Sequence, residues 1–558
     1  MSSYSLDGSL PTELICWIFR YLSCNELVVC RQLCRSLKHI VDTTVDLQYI
    51  LNLQLAGMAD NPAHSLGTAD KLALLKRYRD QWCSLTPHLE HIVLFESIHL
   101  ERVDDKKEHF IRGTLGIGPS LNFDYHFAQL PSRIREIPLK SWVLRLPGYT
   151  GSFAMDLQQD VLAILKERPP PDGNDDKCPS LHILELSTGK EHPLALYPSL
   201  SLPDVMEPGL SRLRINGPYI YVHCEEAETS VTWNWRSGSQ IFYEAEVTGS
   251  AWLGPTHLLL VGFRCEYEPQ YLMLVDISQP ERVWEFHLPK MFSKHENAHG
   301  ELIMFQVDCE PVTSRGGGSP GSLFDIAEED SLVMLTALED PFRMFFLASR
   351  LLEIMQSTAH EKTETVVIPW KSWGPGYTRV DHTWVRYIVY GMRAMALAKA
   401  GLQPYMLDFN RRRAKYTMQA CSGSQKEEDR PTRIRAFSHT HWHAMVEEVE
   451  ATDEQMDDLS LDNIESEQYT DEEMGELSLD NIESDGQEDV ESEQDTDEQT
   501  DELSLDFDSD GQEDLMLVQT ILPYTPPQGL EMWGFSEDAI HMKREFDDGS
   551  WGYEAYTL

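Results

Sequence analysis

Apolar positions recur at intervals of three and four along the first stretch of the chain. Leu14, Ile18, Tyr21 and Leu22 fall at i, i+4, i+7 and i+8, the spacing of one helix face. Pro11 suits a first helical turn, where its missing N–H costs nothing. Asn25 is placed to cap a second helix, and Leu27, Cys30, Leu33, Cys34, Leu37 and Val41 mark its apolar face. Trp17, Phe19 and Val29 lie off these stripes and widen the apolar surface. So short a unit seldom stabilises itself alone, so it either packs on the rest of the chain or is completed by a partner. A further helix is predicted over "ADKLALLKRYRDQWCSL", where Leu72, Leu75, Tyr78, Arg79 and Trp82 share a face.

From about residue 90 the period changes to two. Val231, Trp233 and Trp235 alternate with Thr232, Asn234 and Arg236 before the turn "RSGS", and Trp284, Phe286 and Leu288 alternate with Glu285 and His287. "LHILELSTGKEHPLAL", "YLMLVDIS" and "YMLDFNRRRAKY" are further strand candidates, and "MKREFDDGSWGYEAYTL" reads as a hairpin around "DDG". So many short strands need closure or radial repetition to protect their edges. A β-propeller of roughly seven or eight blades, at about 40–45 residues each, meets that need; a pair of β-sandwiches is the alternative. The expected fold is mainly β, with a small N-terminal α-helical unit, a β-propeller-like domain and a long disordered acidic insertion. The corresponding segments are 1–50 helical unit, 51–89 helical connector, 90–446 β domain, 447–514 insertion and 515–558 closing strands.

Charge singles out that insertion. Residues 447–514 hold 31 Asp and Glu and no Lys or Arg, so the rest of the chain has 61 acids against 46 bases. The stretch repeats "LSLDNIES" twice and then "LSLDFDSDGQED", and such charge density cannot collapse onto a core. A net charge of −46 argues against binding nucleic acid or an anionic membrane by bulk electrostatics. "MSSYSLDGSL" lacks the basic and apolar regions of a secretory signal, and no apolar run reaches membrane-spanning length. Ten cysteines without paired spacing suit buried thiols in a reducing compartment, cytoplasm or nucleus.

Several motifs invite chemistry and lack its context. "HENAH" (His295 to His299) has zinc-hydrolase spacing but is followed by Gly300 and a strand-like run rather than carried on a helix. "GGSPG" around Ser319 sits in linker composition. "DFDSDG" has calcium-loop spacing, yet its twelfth position is Leu517. His439, His441 and His443 share one face of a strand-like run, Arg411 to Arg413 form a basic run, and Thr470 precedes acidic residues. No nucleophile–base pair or phosphate cradle is found, so no catalytic residue, metal or cofactor is expected.

The opening segment resembles the F-box. The family's order of residues is met by Leu10, Pro11, Glu13 and Leu14, by Ile18 and Leu22, by Leu27, and by Leu33, Cys34, Arg35 and Leu37; Ser36 stands where the family often carries an aromatic. The β region resembles the F-box proteins of mushroom-forming fungi through "LSTGKEHPLA", "VTWNWRSGS", "IPWKSWGPGYTR" and "VRYIVYGMR". These resemblances imply a non-catalytic adaptor. Leu10, Pro11, Glu13, Leu14, Ile18, Leu22, Leu27, Cys30, Leu33, Cys34 and Leu37 would dock a Skp-family linker protein, the linker would join a cullin ligase, and the β domain would capture a protein substrate. The competing readings are a propeller scaffold outside any ligase, with its helices packed internally, and a zinc hydrolase using "HENAH".

Overall fold

Helix-forming sequence precedes strand-forming sequence, and the fold keeps that order apart from a helix at Ala348–Ser357 that packs into the core between blades 4 and 5. The computed structural model describes residues 10–84, 90–98, 108–166, 180–289, 305–309, 323–397, 405–410, 434–437, 517–521, 531–535, 539–545 and 550–557, apart from short breaks within the longer ranges. All of these belong to one unit, Met1–His443 with Asp514–Leu558. The insertion and the motifs at 295–299, 317–321, 411–413, 439–443, 470 and 506–511 lie outside the described residues.

Five helices open the chain: α1 (Thr12–Phe19), α2 (Cys24–Leu33), α3 (Arg35–Thr43), α4 (Val45–Ala56) and α5 (Thr68–Ser84). Ser23, not Asn25, caps α2. The Ser23 amide donates to Glu26 Oε2 at 2.7 Å while Ser23 Oγ accepts the Glu26 amide, a reciprocal capping box. Ser23→Ala should lower the stability of the helical front by about 1 kcal/mol, read from its denaturant midpoint. The second helix is also shorter than its periodicity suggests. Cys34 is extended (φ −157°), ends α2, and caps α3 by accepting the Leu37 amide on Sγ. Pro11 stands just before α1 rather than inside it.

The strands form seven sheets of four or five strands among the described residues, plus one two-stranded ribbon. Numbered as blades, they run Glu108–Arg145, Phe153–Ser201, Ser211–Glu244, Val247–His287, Phe305–His382, Arg386–Ile521 and Glu531–Thr557. Neighbouring blades pack apolar faces together. Phe127 and Leu146 of blade 1 meet Met155 and Leu184 of blade 2; Ala163 and Ile183 of blade 2 meet Val222 and Trp235 of blade 3; Val333 and Phe346 of blade 5 meet Leu259 and Phe286 of blade 4. The ring closes because Glu90–Ile98, the first strand of the β region, forms the outer strand of blade 7, with Glu90 opposite Thr557. Leu94 and Tyr553 then pack on Leu115 and Ile117 of blade 1. The protein is thus a β-propeller with helices at its front, an arrangement that leaves only short, protected edges. The strands that bracket 438–516, Ile434–Phe437 and Leu517–Ile521, pair with each other in blade 6.

Blade stacking also explains an unexpected pattern. Alternation predicts one wet face per strand, yet Thr232 and Glu285 are as buried as their apolar neighbours, because both faces of a propeller sheet meet another blade. His109, on the innermost strand of blade 1, has its Nδ1 sealed from water. Burial, and then the nearby Arg214, push its pKa down to about 4. The folded protein therefore resists protonating it. Stability present above the ordinary value near 6.5 should be lost as pH falls from there towards 4, by roughly 3 kcal/mol at most. Melting temperatures across that range should fall less steeply in His109→Gln.

Two elements mount the helices on the propeller. Met58–Asp60 pairs antiparallel with Phe324–Ile326, an excursion of blade 5. Tyr49 and Leu53 of α4 and Leu72, Leu75 and Tyr78 of α5 share a core with Ile134, Leu323, Phe324 and Met395. Lys71, almost fully buried, donates to Asp60 at 2.8 Å, and Tyr49 Oη donates to the same carboxylate at 2.6 Å.

Candidate partner-binding site

Helix α1 carries two apolar faces. Ile15 and Phe19 turn inward and, with Leu27, Leu37, Ile40, Val41 and Leu47, form a small core private to the front. Leu14, Trp17, Ile18 and Tyr21, at i, i+3, i+4 and i+7, turn outward. Trp17 and Tyr21 are 57% and 75% exposed and pack edge to face at 5.6 Å. On α2, Val28, Val29 and Leu33 are exposed as well, Leu33 at 68%.

The sequence-predicted residues therefore divide. Glu13, Leu14, Ile18 and Leu33 are exposed, as is Pro11. Leu10, Leu22, Cys30 and Cys34 are half-buried against the private core. Leu27 and Leu37 are buried within it, so their part is to hold the helices together. Trp17, Tyr21, Val28 and Val29 complete the outward surface. Tyr21 stood on the Leu14 face in the sequence; Trp17, set off that stripe, is three residues from Leu14 and shares the face, while Phe19, also set off it, is buried; Val28 carries no periodic signal.

Paired charges hold this surface in place. Arg31 Nε donates to Asp42 at 2.6 Å, tying α2 to α3, and Arg20 pairs with Asp46, tying the end of α1 to α4. Cys16 Sγ lies 3.4 Å from Thr44 Oγ1. Burial, with Glu26 beside it, raises the Cys30 thiol above its ordinary value, so it behaves as a neutral apolar group. At about 150–250 Å² for each large side chain, the seven outward residues expose on the order of 700 Å². Summed over both helices, that approaches the roughly 800 Å² per partner of a stable interface.

Residues 7–47 match the F-box-like family model. Those residues, α1 to α3 and the start of α4, form an F-box-like domain, and its union with a β-propeller supports reading the chain as an F-box protein. No curated protein matches it. Similar solved structures include the WD40 domain of Toxoplasma gondii coronin (11% identity, TM-score 0.30, covering 57% of this chain and 73% of that one). Kluyveromyces lactis Hsv2 is another (8% identity, TM-score 0.32, 57% and 75%). The propeller domain of Cps50 (Swd1) from Myceliophteria thermophila is a third (13% identity, TM-score 0.27, 47% and 67%). Among the described residues, no His, Cys, Asp and Glu group is arranged to hold a metal. Among the same residues, no helix is long and apolar enough to cross a membrane.

Proposed function

We propose that this protein is the substrate-recruiting subunit of a Skp–cullin–F-box ubiquitin ligase, working in the cytoplasm or nucleus and of the kind found in mushroom-forming fungi. The observation that carries the reading is the outward face of α1, Leu14, Trp17, Ile18 and Tyr21, which the chain's own propeller leaves uncovered. It weighs against a scaffold whose helices are satisfied internally.

In this role Glu13, Leu14, Ile18 and Leu33, joined by Trp17, Tyr21, Val28 and Val29, take a Skp-family linker protein. Leu10, Pro11, Leu22, Cys30 and Cys34 border them, and Leu27 and Leu37 support them from below. Burying some 700 Å² at about 25 cal/mol per Å² gains roughly 17 kcal/mol in gross terms. That exceeds the roughly 4–15 kcal/mol lost on association. The linker brings the cullin, and the propeller captures a protein substrate. The chain itself then does no bond chemistry; it raises the local concentration of a substrate lysine near activated ubiquitin. Pull-down of a purified Skp-family linker by the full chain tests the reading, and absence of binding by the wild-type protein would end it.

A further inference from the structure

The connection between Ser180–Glu185 and Ser199–Ser201 of blade 2 presents a second apolar surface. Leu194, Leu196 and Tyr197 are 60%, 68% and 56% exposed, on a loop that is firmly anchored. His192 is buried, its ring 4.9 Å from that of Trp235. Its Nδ1 accepts the Leu194 amide at 3.2 Å, which leaves Nε2–H to donate to the Gln159 carbonyl at 3.1 Å. The Leu196 amide donates to the Arg236 carbonyl of blade 3 at 2.9 Å. Tyr197 lies against Gly238, where a Cβ would come within 2.5 Å of its ring and φ is +71°. Apolar side chains held out on a rigid loop are organised for recognition before any ligand arrives.

Gly238 leads directly into Ser239–Glu244, the outer strand of blade 3. Among the described residues this strand pairs on one side only, whereas blade 4 extends its outer edge with the parallel strand Thr365–Ile368. Tyr243 on it is 44% exposed. Its far end is acidic. Glu244 and Glu246 stand there, with Glu228 and Glu285 close enough to interact. Burial, and then neighbouring carboxylates, hold Glu244 and Glu228 above the usual carboxylate range, a crowding that an incoming cation would relieve.

We propose that the outer edge of blade 3 and the Pro193–Tyr197 loop together dock an extended segment of a partner protein. The segment adds as a strand to Ser239–Glu244, rests apolar side chains on Leu194, Leu196 and Tyr197, and sets a Lys or Arg beside Glu244 and Glu246. Strand rise puts the apolar anchor and the basic residue about five residues apart. The three apolar side chains expose about 350 Å², well short of the roughly 800 Å² per partner of a stable dimer face. That favours a short segment over a second copy of this chain. The proposal rests on the adaptor reading only in calling this partner a substrate.

The test is a displayed random library of twelve-residue peptides, panned on the full-length protein, with selected peptides measured by fluorescence polarisation. Selected peptides should carry apolar residues about five positions from a Lys or Arg. Their affinity should fall at least tenfold in Leu196→Ser with Tyr197→Ser, in Glu244→Gln with Glu246→Gln, and when alternate peptide amides are N-methylated. It should be unchanged in Leu14→Asp with Ile18→Asp, which separates this site from the F-box surface. Melting curves matching wild type establish that the loop variant and the Glu244/Glu246 variant fold. Failure to select any peptide, or peptides indifferent to both the loop variant and the Glu244/Glu246 variant, would overturn the site. Indifference to N-methylation would overturn strand addition. Concentration-dependent self-association, abolished by Leu196→Ser with Tyr197→Ser, would overturn the peptide in favour of a second copy.

Discussion

Leu14→Asp combined with Ile18→Asp should reduce binding of a Skp-family linker at least 100-fold while leaving the helical front folded. Both side chains are 46% exposed on α1 and neither belongs to the private core. New carboxylates there meet water in the free protein and cost it little. In a complex they would have to be desolvated against apolar partners, and a buried unpaired charge costs several kcal/mol. A factor of 100 corresponds to about 2.7 kcal/mol, well within that range. Isothermal calorimetry against the purified linker gives the affinity, and far-ultraviolet circular dichroism gives the fold. Leu27→Ala supplies the contrast, because Leu27 is fully buried. It should weaken binding by loosening the helices, with a matching fall in melting temperature. Wild-type affinity in the double aspartate variant would remove α1 from the interface.

Asp408→Ala should destabilise the junction of helices and propeller by about 3–5 kcal/mol, the usual cost of stranding a buried charge. Arg393 and Asp408 sit on adjacent strands of blade 6, their side chains each 8% exposed and 3.4 Å apart. Burial alone would lower the guanidinium's pKa. Asp408, and then Tyr78 of α5, more than offset it and leave the value raised. Tyr78 belongs to the core that mounts α4 and α5 on the propeller, so the damage should reach the helices. Hydrogen exchange over residues 49–58 and 72–78 should speed up, and the denaturant midpoint should fall. Arg393→Met with Asp408→Leu should recover most of the loss, since it removes both charges. Equal destabilisation by the pair and the single variant would show that packing, not the charge, holds the joint.

Helices before strands, the two periods and the apolar excess of the front could all be read from residue order, because each depends on spacings of two to four residues. The private core and the outward face were not separable in that way. Leu14, Ile18, Tyr21 and Leu22 all present apolar surface, and periodicity places side chains on a helix without saying which face meets a neighbour. Tertiary packing chose. It gathered Leu22 and Leu27 with Leu37 and Ile40 of α3 and Leu47 of α4, and left Trp17 and Tyr21 outside with Leu14. The cap at Ser23 and the break at Cys34 turn on hydrogen bonds that a pattern of apolar positions does not encode. Closure of the propeller lay furthest from local sequence. Glu90 pairs with Thr557 across almost the whole chain, and nothing within either strand names the other. That pairing arises because seven twisted blades bring the first and last strands to one edge, where their unpaired amides and carbonyls satisfy each other.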